Sequence, residues 1–235
     1  MMQWLARRLG KQAAMTVQQR QRLLAWQELP RAVLDEPFNS TRCVVVDVET
    51  SGLNLLEDRL IAIGAVALLN GQVAFGDSFS VVLQQSSASN KDNILLHGIS
   101  GMAQTEGVPA VDALLDFLEY LRKDALIAFH VTFDQTMIQR AMRQYLGFNF
   151  KHSWLDMAYV MPALNPALAA RHHSLDDWSA YFAIRNDARH NALTDALVTA
   201  QLLQVALAQA CKKNITDFAT LHDLEKAQRW VSGVS

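Results

Sequence analysis

Three apolar segments in the first half of the chain have the pattern of β-strands. Residues 43–48 (CVVVDV) form a short apolar run that ends near an acid, which is typical of a buried strand. Residues 59–69 form a second apolar run, and the Asn70-Gly71 pair behind it is a strong hairpin signal. Residues 73–83 supply the returning strand. This half therefore predicts a three-stranded antiparallel meander.

The second half alternates between helical and strand patterns. Short apolar runs predict two further strands, at 125–129 and 154–156. Apolar residues at helical spacing predict five helices, over 110–121, 133–146, 174–183, 190–211 and 214–230. A meander followed by alternating helices and strands predicts an α/β domain, with a mixed five-stranded sheet flanked by helices.

The first 38 residues differ from the rest in charge. Residues 1–31 contain six Lys or Arg and one acid, a net charge of +5 in a chain whose total is −2. We interpret 1–38 as a basic amphipathic helical arm, 39–210 as the main domain and 211–235 as a C-terminal helix packed on it. The arm is compatible with packing on the domain, with binding a protein partner or a membrane surface, and with touching substrate phosphates.

Composition narrows the classes of function. With 51% hydrophobic residues and a net charge of −2, the chain is neither disordered nor a protein that coats nucleic acid by charge alone. Cys43 and Cys211 form no disulfide framework and no cysteine-based zinc site. No apolar run reaches the roughly 18–20 residues of a membrane span, and no signal-peptide pattern is visible. We therefore expect a cytoplasmic protein.

Two acids lie at the end of the first predicted strand. Asp47 and Glu49 are two residues apart, so their side chains point to the same face of a strand. Burying two carboxylates together costs free energy unless a cation neutralises them, and Mg²⁺ prefers carboxylate oxygens. The pattern alone is equally compatible with solvated acids at a strand end.

Two further acids begin predicted helices. Asp134 follows the strand at 125–129, and Asp195 lies five residues after His190 at the start of the long helix. An acid at a helix start is usually a cap or a partner of the helix dipole, and His190 alone fits a capping or surface histidine. The order of these residues along the chain is more informative than any one of them.

Taken together, the motifs resemble the DEDDh (DnaQ-like) 3′–5′ exonuclease family, which has a ribonuclease H-like fold and includes the exonuclease (epsilon) subunit of bacterial DNA polymerase III. The resemblance covers about residues 42–208. It rests on five segments in family order, VDVETSGL at 46–53, RLIAIGAV at 59–66, HGIS at 97–100, Phe133-Asp134, and HSLD at 173–176 with His190 and Asp195.

The resemblance implies a metal-dependent enzyme that releases nucleoside 5′-monophosphates from the 3′ end of single-stranded DNA. It implies two Mg²⁺ or Mn²⁺ ions held by four acids, Asp47, Glu49, Asp134 and Asp195, with His190 as general base. It also implies six residues as substrate contacts, Thr50, Gly52, Leu53, His97, Phe129 and His130. Core packing remains open for Leu53 and Phe129, and a structural role for His97.

Two positions depart from the family pattern. Ala62 stands where the family's second strand often has an acid, and Phe129 where the second motif usually has histidine.

Two other functions stay open. The same chemistry on RNA or short oligoribonucleotides is one alternative. A non-catalytic nucleic-acid-binding or docking module is the other, but the presence of all four acids and His190 argues against it.

Overall fold

A mixed five-stranded sheet forms the centre of the computed structural model, which describes residues 15–186 and 188–233. Its strands lie in the order β3-β2-β1-β4-β5. The β1–β2 and β2–β3 pairs are antiparallel, whereas β4 runs parallel to β1 and β5 runs parallel to β4. Their bounds are β1 Arg42–Thr50, β2 Leu60–Leu69, β3 Gln72–Val82, β4 Ala125–Ala128 and β5 Trp154–Asp156. The predicted meander and the predicted fold class are confirmed.

Helices cover both faces of this sheet. They are α1 Val17–Glu28, α2 Lys91–His97, α3 Gly101–Thr105, α4 Ala110–Leu121, α5 Val131–Ala141, α6 Met157–Leu164, α7 Leu175–Tyr181, α8 Ala192–Cys211 and α9 Phe218–Gly233. None of the helices within 15–186 and 188–233 is long and apolar enough to span a bilayer.

The alternation of side chains along β1 divides the core in two. Val44, Val46 and Val48 face a cluster built mainly by α4 and α5. Cys43 and Val45 point the other way, into a cluster that contains much of α6 and α8. Because side chains alternate along a strand, the acids at 47 and 49 fall on the α8 side. The same pattern that builds the second core thus aims both acids at α8.

Four of the five predicted helices have different bounds in the structure, and the one predicted at 174–183 spans Leu175–Tyr181. The helix predicted at 133–146 begins at Val131 and changes to a π-helical turn over Met142–Leu146. The long helix begins at Ala192, because His190 has a φ of +61° and Asn191 provides the cap. The last helix begins at 218 instead of 214. The short helices α2 and α3 have no counterpart among the predicted elements, because one or two turns show no readable periodicity.

Helix α1 lies against α4. Its Thr16 forms a capping box with Gln19. Arg22 pairs with Asp116 at 2.6 Å and with Glu119 at 2.7 Å. The buried Trp26 donates from Nε1 to the carbonyl oxygen of Arg122 at 2.6 Å. The part of the predicted arm from 1 to 14 lies outside the described residues.

Candidate metal centre

Three carboxylates converge between β1 and α8. Asp47, Glu49 and Asp195 each offer an oxygen, and these oxygens lie within 4.8 Å of one another. Two of the acids come from alternate positions of β1, and the third from the first turn of α8. The structure therefore brings together residues that are almost 150 positions apart in sequence.

A glycine in β2 allows α8 to come this close to the sheet. Gly64 pairs with Asp47 across the β1–β2 ladder. A Cβ atom built on Gly64 would lie 2.2 Å from both the carbonyl carbon of Ala192 and the backbone nitrogen of Leu193. Only hydrogen fits there, so the first turn of α8 rests directly on the strand. A lone glycine inside the apolar run IAIGAVALL is the sequence signal for this approach, which our sequence analysis missed.

Crowding changes the acid–base properties of these groups. Burial raises the pKa of Asp47 well above its ordinary value, and the charges of Asp134, Glu49 and Asp195 raise that pKa further. Burial, with the charges of Asp195 and Asp134, raises the pKa of Glu49 to about 8. Neighbouring carboxylates resist ionising together, so a bound cation would stabilise their charged forms. The donor set, all hard oxygen, fits Mg²⁺ or Mn²⁺.

Asp134 lies next to this trio, in the first turn of α5, and is buried. Pairing of β4 with β1 stops at Val45 and Ile127, and beyond this point the backbone N–H of Val48 donates to the Asp134 carboxylate. Burial raises the pKa of Asp134, while the two backbone N–H groups that bind it oppose the rise. Asp134 acts on Asp47 electrostatically but is not among the three acids grouped within 4.8 Å.

Asp195 accepts three hydrogen bonds from the segment before α8. The donors are Asn186 Nδ2 at 2.6 Å, Arg189 Nη1 at 2.9 Å and the backbone N–H of His190 at 3.0 Å. Arg189 also pairs through Nε with Asp176 at 2.7 Å. His190 thus contacts Asp195 through its backbone, and its side chain is partly exposed. Sequence reasoning did not identify Asn186 or Arg189, because nothing in their spacing predicts which way this loop turns.

The predicted substrate residues after β1 form a turn at the edge of the trio. The hydroxyl of the buried Thr50 donates to the carbonyl oxygen of Gly52 at 2.7 Å. A Cβ atom on Gly52 would lie 2.5 Å from Oδ2 of Asp58, so this turn is also tight. Leu53 is 85% exposed. Core packing, the ordinary alternative for Leu53, is therefore wrong.

The other three predicted contacts lie in different settings. Phe129 is partly buried against the α8-side core and meets the ring of His130 edge-on at 5.0 Å. His130 has a φ of +65° and occupies the N-cap position of α5 without a side-chain capping bond. His97 is buried at the end of α2, where Nδ1 accepts the backbone N–H of Ile99 at 3.0 Å. This last contact is the structural role that the sequence left open for His97.

The buried carboxylate of Asp156, paired with the partly exposed Arg229, supports the loop that carries His130. Asp156 caps α6 by accepting the N–H of Ala158 at 3.0 Å. The same oxygen accepts the backbone N–H of His130 at 3.0 Å. Its second oxygen pairs with Arg229 of α9 at 3.2 Å, and Arg229 also bonds Glu225 at 2.8 Å. Helix α9 is thereby tied to the start of α5.

Comparison with protein families gives one match over most of the chain. The RNase_T family, described as exonuclease, matches residues 44–203. All four predicted acids and His190 lie inside this range, and α1 and α9 lie outside it.

Individual relatives agree with this match. The chain is 26% identical over 191 residues to a PolC-type DNA polymerase III of Thermotoga petrophila. The aligned region covers 81% of this chain and 14% of that protein. It is 28% identical over 203 residues to a DNA polymerase III subunit epsilon-like protein of Rhodobacter capsulatus, covering 84% and 28%. The chain therefore spans less than a third of the length of these relatives.

Two solved structures share the fold. Exonuclease X, in complex with 5′-overhanging duplex DNA, superposes with a TM-score of 0.61 at 15% identity and covers 78% of this chain and 99% of that one. Exonuclease I of E. coli, in complex with a dT13 oligonucleotide, gives a TM-score of 0.61 at 17% identity, covering 73% and 42%.

Proposed function

The chain belongs to the RNase_T exonuclease family, and we propose that it is a metal-dependent 3′–5′ exonuclease that releases nucleoside 5′-monophosphates from single-stranded DNA. The observation that carries this proposal is the convergence of Asp47, Glu49 and Asp195 within 4.8 Å. The raised pKa values of Asp47 and Glu49 support it, because such a cluster is stable in its charged form only around a cation.

The acidic cluster holds the metal in this proposal. Asp47, Glu49 and Asp195 provide the ligands, and Asp134 completes the set from α5. When bound, two Mg²⁺ or Mn²⁺ ions supply positive charge to the phosphate and lower the pKa of the attacking water. Without cations the acids would repel a polyanionic substrate.

His190 is the general base of the proposal. A neutral imidazole nitrogen can accept the proton of a water that attacks phosphorus. Its backbone N–H is held by Asp195, which links the histidine to the metal-binding acid. The side chain is only partly exposed, on the segment between Arg189 and the cap of α8.

Exposed and half-buried apolar groups near the cluster provide the contacts to the terminal bases. Leu53 is 85% exposed and lies four residues after Glu49 in the chain, and stacking on an aromatic such as Phe129 contributes about 1–3 kcal/mol per base. Single-stranded DNA is favoured over RNA because the structural relatives described above are bound to DNA.

A paired digestion tests the proposal. Single-stranded DNA and RNA of equal sequence, each labelled at the 5′ end, are incubated with Mn²⁺ or with EDTA. We expect a metal-dependent ladder that shortens from the 3′ end, faster on DNA. Asp195→Asn should abolish it, whereas Asp223→Asn, the same change at an exposed position of α9, should not.

Each other outcome has a definite meaning. A faster RNA ladder would replace the substrate in the proposal with RNA. Full activity of Asp195→Asn would refute the metal site. No ladder from either polymer, with folded protein, would favour the non-catalytic binding module.

A further inference from the structure

A basic groove lies away from the carboxylate cluster. It has a volume of about 720 Å³ and is bordered by α1, the chain that follows α1, and the segments that precede β4 and β5. We define the basic groove by six of its lining residues, Trp26, Arg31, Lys123, Phe148, Lys151 and His152. Helix α1 lies outside residues 44–203, the range of the family match, so part of this groove also lies outside that range.

The charge of the groove is positive and uncompensated. Arg31, Lys123 and Lys151 supply three cations, and no Asp or Glu belongs to its described lining. Within 15–186 and 188–233, none of the three cations forms an ion pair, in contrast to Arg22 and Arg42 nearby. Burial and the charge of Arg31 lower the pKa of Lys123, as expected for cations that face each other without an anion. In a chain of net charge −2, such a concentration of free cations calls for an anionic ligand.

Aromatic rings stand beside these cations. The Nζ atom of Lys123 lies 3.2 Å from the centre of the Trp26 ring. The Trp26 and Phe148 ring centres are 6.0 Å apart, and His152 lies 6.5 Å from Trp26 at an interplanar angle of 27°. Because Trp26 is buried, these rings form the wall of the groove and support Lys123, while the three cations that line it are placed to contact phosphates.

The groove and the carboxylate cluster lie at opposite ends of the parallel strands. Lys123 comes two residues before β4, and Lys151 three residues before β5. The acids follow the other end, at the end of β1 and just after β4. Four strand residues span roughly 13 Å, and phosphates of one strand are spaced by roughly 3.4 Å in helical geometry. About four or more nucleotides therefore separate the two places along a bound strand.

We propose that the basic groove binds the phosphate backbone of single-stranded nucleic acid several nucleotides upstream of the 3′ end held at the carboxylate cluster. This inference rests on the proposed function for the identity of the ligand. It assigns α1 a share in holding substrate. It also explains how an acidic protein gains affinity for a polyanion away from its metal ions.

The first test measures binding without turnover. Fluorescence anisotropy of an oligothymidylate of about 20 nucleotides is followed in EDTA, over about 50–200 mM salt. The variant is Arg31→Glu with Lys151→Glu; both residues are exposed and leave the Lys123–Trp26 contact in place. Lys212→Glu with Lys213→Glu is the matched control, with the same charge change at exposed residues outside the groove.

The expected loss follows from counterion release. Each phosphate contact on a single strand contributes about 0.7 to the slope of log K against log salt, so losing two lowers the slope by about 1.4. At about 0.1 M salt this corresponds to on the order of 25-fold weaker binding. The control should bind like wild type. Equal affinities for variant and control would overturn the inference.

The second test separates this inference from the proposed function. Hydrolysis of a trinucleotide, which is too short to reach the groove, should be unchanged in the variant, whereas KM for the long oligonucleotide should rise. Normal KM for the long substrate would overturn the inference and leave the exonuclease proposal standing. If wild type binds a polyglutamate peptide but not DNA, and the variant loses the peptide, the groove serves an acidic protein segment and the inference is wrong.

Discussion

Replacing Gly64 by alanine tests how the carboxylate cluster is assembled. The added methyl group would lie 2.2 Å from two backbone atoms of Ala192 and Leu193, whereas ordinary van der Waals contact begins at 3.4 Å. The first turn of α8 must therefore move outward by about 1.2 Å, or β2 must yield by as much. These backbone atoms cannot rotate away as a side chain end would.

The displacement should damage both stability and the site. Overpacking of this kind typically costs about 1–3 kcal/mol in the free energy of unfolding. Asp195 lies three residues beyond the contact and moves with the helix, away from Asp47 and Glu49. A misplacement of about 1 Å in a catalytic group can cost roughly a hundredfold in rate. We expect weaker Mn²⁺ binding and a fall in kcat of that order.

Three measurements check this prediction, namely urea denaturation, Mn²⁺ titration by calorimetry and digestion of labelled oligonucleotide. Gly76→Ala in β3 is the control, because a Cβ atom there meets nothing within 4 Å. The control should be neutral or more stable by about 0.4–1 kcal/mol. Unchanged stability of Gly64→Ala would refute the close approach. Reduced stability with wild-type Mn²⁺ affinity and kcat would refute the link between this glycine and the position of Asp195.

Three other perturbations have defined outcomes. Arg189→Met should strengthen Mn²⁺ binding about fivefold in calorimetry, because a partly exposed ion pair worth about 1 kcal/mol no longer competes for Asp195; weaker binding would contradict this. Arg229→Met should lower stability to urea by about 1–2 kcal/mol, since it removes the partly exposed cation of the buried Asp156, and kcat should fall with it; Lys226→Met on the same helix should do neither. In EDTA, Tm should fall as pH rises from about 4.5 to about 8, because the unfolded chain ionises Glu49 first while its pKa in the folded protein is raised to about 8. Glu49→Gln should flatten that slope, and a Tm that rises with pH in EDTA would show that the carboxylates are not crowded.

The sheet and the acids on β1 were readable from the sequence because their causes are local. The alternation of 43–49 and the Asn70-Gly71 turn fix the strand, its face and the hairpin, and the structure confirms them. Asp47 and Glu49 could be placed on one face by period two alone. Their meeting with Asp195 came from the resemblance to a family, since no local pattern predicts a contact across almost 150 residues.

The contacts that surround the acids were not predictable in this way. Arg189 reaches Asp195 because its loop folds back through a positive φ at His190. Many sequences are compatible with such a turn, so no local pattern predicted it. Arg229 reaches Asp156 only because α9 packs beside β5 and α6. Such pairings depend on the docking of whole elements. Gly64 is intermediate, because a glycine among β-branched residues marks a close approach without saying which element approaches.

The division of the core by β1 has a consequence for how this protein can change over generations. Val44 and Val46 point into the first core. Cys43 and Val45 point into the second core, and Asp47 and Glu49 lie further along the strand on that same side. Inserting or deleting a single residue upstream in this strand would exchange the two sides. Carboxylates would then enter an apolar interior at the same moment as the cluster lost its ligands. Heritable variation in β1 is thus confined to substitutions, and length changes must fall in the turns.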